Sequence, residues 1–104
     1  MSKIRVLGEA ISLTSAAPQA AVAMNTAPLA AGFNGVVMIH LAGATGTPTV
    51  KVQGAGADLV YTDMITVTAV TGLIKLTEVT LRENMRLNVT AVGTAGTASA
   101  YVIE

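Results

Sequence analysis

Apolar residues recur at every second position through most of this chain, and that spacing belongs to β-strands that bury one face. Met85, Leu87 and Val89 fall on one side of an extended segment, with Arg86, Asn88 and Thr90 on the other. Val37, Ile39 and Leu41 alternate with Val36, Met38 and His40, and Val50 and Val52 with Thr49, Lys51 and Gln53. Ile65, Val67 and Ala69 alternate with Thr66 and Thr68 inside a stretch, Leu59 to Val70, that reads as one long strand or two broken at Asp63. The links are turn-like: Gly43-Ala44-Thr45-Gly46-Thr47-Pro48, Gly54-Ala55-Gly56-Ala57-Asp58 and Gly93-Thr94-Ala95-Gly96. On this reading the first and third links close hairpins, the latter joining Met85–Thr90 to Thr97–Glu104.

In two places the alternation changes phase. Ile4 and Val6 are even whereas Ile11 and Leu13 are odd; Ile74 and Leu76 are even whereas Val79 and Leu81 are odd. If every one of these faces the core, the chain must bend near Gly8 and again at Thr77-Glu78. Between Ser15 and Gly32 the pattern fails. Ser15 and Pro18 could open a helical turn, but Asn25 and Pro28 would stop it, so an irregular Ala-rich arm is expected. The sum is a single all-β domain over residues 1–104, a small antiparallel β-sandwich or jelly-roll-like domain of about seven or eight strands.

Composition narrows the function. With 104 residues the chain can bury a core without disulfides or metal, and it has no cysteine from which to make either a disulfide framework or a thiolate site. Six Lys and Arg balance six Asp and Glu, so the basic excess that nucleic-acid binding requires is missing. A charged fraction of 12%, about half the usual quarter, leaves a surface prone to associate. The Ala16–Ala31 tract is interrupted by Pro18, Gln19, Asn25, Thr26 and Pro28 and is too short to span a bilayer as a helix. Lys3 and Arg5 resemble the start of a secretory leader, but Glu9 interrupts the apolar run that would have to follow. Neither a membrane nor a secreted destination is expected.

Chemistry is scarce. His40 is the only histidine and has no orienting partner in its own segment. The carboxylates Glu9, Asp58, Asp63, Glu78, Glu83 and Glu104 are scattered, and Asp58 and Asp63 lack the spacing of a calcium loop. Gly54-Ala55-Gly56 opens like a dinucleotide fingerprint, yet position 59 is Leu and a strand follows. Phe33, Tyr61 and Tyr101 are too few for a stacking platform. Lys3, Arg5, Lys51, Lys75, Arg82 and Arg86 are spread along the chain. No catalytic, cofactor-binding or metal-binding residue is expected, and no enzyme.

The Ala/Thr/Val/Gly-rich, cysteine-free composition and the closing run Met85-Arg86-Leu87-Asn88-Val89-Thr90-Ala91-Val92-Gly93-Thr94-Ala95-Gly96-Thr97-Ala98-Ser99-Ala100-Tyr101-Val102 resemble bacteriophage capsid decoration, or cement, proteins. That resemblance implies a virion protein made in the host cytoplasm and placed on the capsid surface. It also implies a major capsid protein as partner and a homo-oligomer, most often a trimer. It carries over no individual residue. Alternatives from other classes are a head-tail connector, tail-tube or fibre subunit, or an extracellular adhesion or carbohydrate-binding module. For docking, the arm Ala16–Phe33 and the first strand are the segments of choice.

Overall fold

A computed structural model describes residues 4–26, 29–68 and 74–103. Lys3, Pro28, Ala69, Val70 and Glu104, invoked above, lie outside them. The described strands are β1 (Ile4–Ser12), β2 (Val22–Ala23), β3 (Asn25–Thr26), β4 (Leu29–Ala30), β5 (Asn34–Thr45), β6 (Thr49–Ala55), β7 (Thr62–Thr68), β8 (Ile74–Thr80), β9 (Asn84–Ala91) and β10 (Ala95–Ile103). None of the described residues is helical.

Two four-stranded sheets form, β1-β10-β5-β8 and β2-β9-β6-β7, with β3 and β4 as a separate small ladder. All pairs are antiparallel. Without β3 and β4, the pairs β1·β10, β2·β9, β5·β8 and β6·β7 match first strand with last, second with second-last, and so inward. A long hairpin rolled so that its rungs alternate between two sheets has this order, which is a jelly roll.

That order corrects both expected hairpins. β5 and β6 lie in different sheets, as do β9 and β10. Their Gly/Thr links cross from one sheet to the other, side by side: the Thr94 amide donates to the Thr45 carbonyl at 3.0 Å and the two threonine hydroxyls bond at 2.7 Å. Period-two alternation is the same on both sides of such a crossing as on both sides of a hairpin, so only the partner strands tell them apart. Besides the small β3·β4 ladder, consecutive strands pair at β6·β7, whose register shifts opposite Gln53 and Asp63, beside the break expected there.

The core lies between the sheets. Val37, Ile39 and Leu41 of β5 and Ala98, Ala100 and Val102 of β10 face Val50 and Val52 of β6 and Met85, Leu87 and Val89 of β9, all fully or almost fully buried. The bend at Gly8 is present, with register shifts on both sides of it and a positive φ at Ala10. The bend at Thr77-Glu78 is not: β8 follows β5 through seven consecutive pairs without a shift. The premise that every apolar residue faces inward was at fault. Leu7, Ile11 and Leu13 pack inward from the first segment, while Ile4, Val6 and Leu76 stand outside at 58, 46 and 63% exposure.

The Ala-rich arm is largely consumed by the fold. The Gln19 amide donates to the Leu87 carbonyl, the Val89 amide to Ala17, and the Met24 amide to Glu83, so the arm runs along β9 as an irregular strap. Met24 and Leu29 of the arm are themselves buried in the core, as is Leu13 just before it.

Candidate interaction surface

The outer faces of the two sheets differ in chemistry. On β6, β7 and β9 the outward positions are polar and tied together. Asp63 accepts from Lys51 Nζ at 2.6 Å and from Gln53 Nε2 at 2.9 Å, while Gln53 Oε1 accepts from Arg86 Nε at 2.9 Å and Asn88 Nδ2 at 3.1 Å. The Arg86 guanidinium lies 3.8 Å above the Tyr61 ring. The hydrogen bond from Lys51, then that from Gln53, holds the Asp63 carboxyl below its ordinary range. A group with a depressed folded-state pKa stabilises the fold above its unfolded pKa and stops doing so as pH falls through the folded value. Asp63→Asn should therefore lower stability slightly near neutrality, change little at the acid end and so flatten the acid limb of the profile, as read by urea melts across pH. An unchanged acid limb would show that this exposed pair contributes nothing.

The outer face of the β1-β10-β5-β8 sheet is apolar at one end. Cross-strand register places Val6, Tyr101, Met38 and Leu76 in one row and Ile4, Ile103, Val36 and Glu78 in the next. Ile4, Val6, Met38, Tyr101 and Ile103 line a shallow groove of about 320 Å³. Beyond it the face turns polar and small, with Ser99 paired to His40, then Thr97 to Ala42.

A second apolar site lies at the end of the sandwich that carries the β6–β7 loop. Leu59 and Val60 are exposed, and Leu59 adopts φ 58°, a left-handed conformation costly for a leucine. A turn fixes it: the Leu59 amide donates to the Gly56 carbonyl and the Val60 amide to Asp58 Oδ1. Phe33, also exposed, reaches the same end, since its carbonyl accepts from the Leu81 amide while Asn84 Nδ2 donates to Gly56.

The titratable side chains weighed above fall in separate places. His40 gains Ser99 as a cross-strand neighbour that its own segment did not offer, but no hydrogen bond joins them, and Ser99 Oγ accepts from the Ala10 amide. Asp58 holds its own turn and Asp63 the polar face. Among the described residues no three His, Asp or Glu side chains gather as metal ligands would. Of the docking segments expected, the first strand supplies Ile4 and Val6, whereas the arm has sunk Met24 and Leu29 and leaves Phe33. The residues missed were Met38, Leu76, Tyr101 and Leu59-Val60. A signal for Met38 was present: Val36 to Ile39 is a continuous apolar run, the mark of a strand covered on both faces.

No protein-family model matches this sequence, and comparison with curated proteins finds no match. Among solved structures, the crystal structure of the SPBc2 prophage-derived protein YomS superposes with a TM-score of 0.68, over 100% of this chain and 94% of that one, at 10% identity. At that identity the likeness shows a shared fold.

Proposed function

We propose that the chain is a structural, non-enzymatic virion protein that binds the outer surface of an assembled phage capsid and stabilises it. One observation carries this reading: of the seven large apolar side chains exposed among the described residues, all but Val92 are gathered on two surfaces, Ile4, Val6 and Leu76 on one and Phe33, Leu59 and Val60 on the other, while Lys51, Asp63 and Arg86 are spent on the polar face. Exposed apolar clusters of this kind mark sites of protein contact. The jelly roll recurs in viral capsid domains, and the neighbour of similar fold is prophage-derived; both lend support by analogy of fold. The loop end bearing Phe33, Leu59 and Val60 is the element proposed to meet the major capsid protein, because its turn holds apolar side chains outward in a conformation a leucine would otherwise avoid.

Mixing the protein with undecorated heads tests this. Binding to assembled heads and not to free capsid subunits is expected, with a gain in the heads' resistance to heat. Val60→Asp should weaken binding at least about tenfold while leaving the fold intact. Affinity should fall less than about tenfold between roughly 0.05 and 0.2 M salt, against the ~10³ to 10⁵ lost by binding that neutralises phosphates. Equal binding to free subunits, or unchanged head stability, would replace this reading by a connector, tail-tube or fibre subunit.

A further inference from the structure

We infer that the outer face of the β1-β10-β5-β8 sheet is covered by a second copy of this chain, packed sheet face on sheet face. The inference is independent of head binding and is tested on the chain alone.

Three neighbouring strands carry apolar residues on both faces in the same rows. On β1 Leu7 is buried in the core while Ile4 and Val6 stand on the outer face; on β5 Val37 and Ile39 are interleaved with Val36 and Met38; on β10 Val102 is flanked by Tyr101 and Ile103. A sheet with one face in water shows clean alternation, as β6 and β9 do with Lys51, Gln53, Arg86 and Asn88. The doubled pattern is that of a sheet with a layer on each side.

The identity of that layer follows from availability, area and symmetry. A row of Val6, Tyr101, Met38 and Leu76 left bare on a chain with only 12% charged residues promotes association from the moment of folding. The partner present whenever the chain folds is another copy. Four strands about 4.8 Å apart and nine residues of β10 at about 3.4 Å give a face of roughly 19 by 30 Å, or about 570 Å² in projection. Side-chain relief raises the accessible area toward the ~800 Å² per partner of a standard interface. The apolar rows alone are too small, so the polar half with Ser99, His40 and Thr97 belongs to the interface as its rim. Two like faces meet about a two-fold axis, which gives a pair in place of the trimer that the resemblance implies.

Sedimentation of the full chain at micromolar concentration should give a mass of two chains. Leu76→Glu and Met38→Lys, both outside the core, should each weaken the pair at least about 30-fold, the effect of one hot-spot side chain, with the far-UV spectrum unchanged. The cysteine-free chain allows a second readout: Tyr101→Cys should form a covalent dimer on mild oxidation, and Thr66→Cys, on the opposite sheet, should not. A single-chain mass at about 100 µM, far above a standard interface's dissociation constant, overturns the inference. So does a three-chain mass, or a pair that survives Leu76→Glu and Met38→Lys in folded protein.

Discussion

Leu87→Ala should lower the unfolding free energy by about 3 to 5 kcal/mol, a large share of the 5 to 15 kcal/mol available to a domain of this size. Leu87 is fully buried on β9, opposite Val52 of β6, and its Cδ2 sits where the missing side chain of Gly8 would be: a Cβ built on Gly8 would lie 2.8 Å from it. One leucine thus fills the gap between the bulged part of β1 in one sheet and β9 in the other. Truncation leaves a cavity that Gly8 has no atoms to fill, and β1 is held in place by its pairing with β10. Urea melts at fixed protein concentration would measure the loss, with Val92→Ala, exposed in the β9–β10 link, as a control expected within about 0.5 kcal/mol. Gly8→Ala combined with Leu87→Ala should cost less than the two changes summed, since the new methyl enters the vacated space. A cost below about 1 kcal/mol for Leu87→Ala would mean that the sheets close over the gap.

How far the sequence carries depends on what each residue reports. Alternation at Met85, Leu87 and Val89 or at Val37, Ile39 and Leu41 reports burial of one face, and there the strands and core positions follow directly. It is silent about which strand lies alongside, so the links at Gly43–Pro48 and Gly93–Gly96 read equally well as hairpins or as crossings between sheets. The phase change at Gly8 is a true bend, where a residue without a side chain lies against a large one, whereas that at Thr77 is none, because Leu76 faces outward. Both Leu76 and the run Val36–Ile39 carried the same message, an outer face that is itself apolar, which is hidden from any reading that equates apolar with core. The loop end was obscured for a different reason: Leu59 and Val60 look like the start of a strand, and only the turn made by Gly56 and Asp58 sets them outside one.

The crossing beside β10 is where a single methyl should do most harm. Gly96 adopts φ 109°, and a Cβ there would lie 2.6 Å from Ala44 Cα, 2.7 Å from Ala44 N and 2.9 Å from Gly43 C. All three are backbone atoms of β5, so no rotamer change relieves the contact. The strand itself would have to move, at a point where the register between β10 and β5 is already shifted and where the Leu13 amide donates to the Gly96 carbonyl. Gly96→Ala should therefore cost about 3 kcal/mol or more, a fall in Tm of roughly 12 to 24 °C by the usual scaling for a domain of this length. Gly43 separates the two contributions. Its φ of 62° is also left-handed, but nothing lies within 4 Å of its missing Cβ, so Gly43→Ala should incur only the conformational cost of about 1 to 2 kcal/mol. Thermal melts of the two variants at equal concentration decide the matter: equal losses would show that backbone conformation alone, and not the approach of β10 to β5, requires glycine at this crossing.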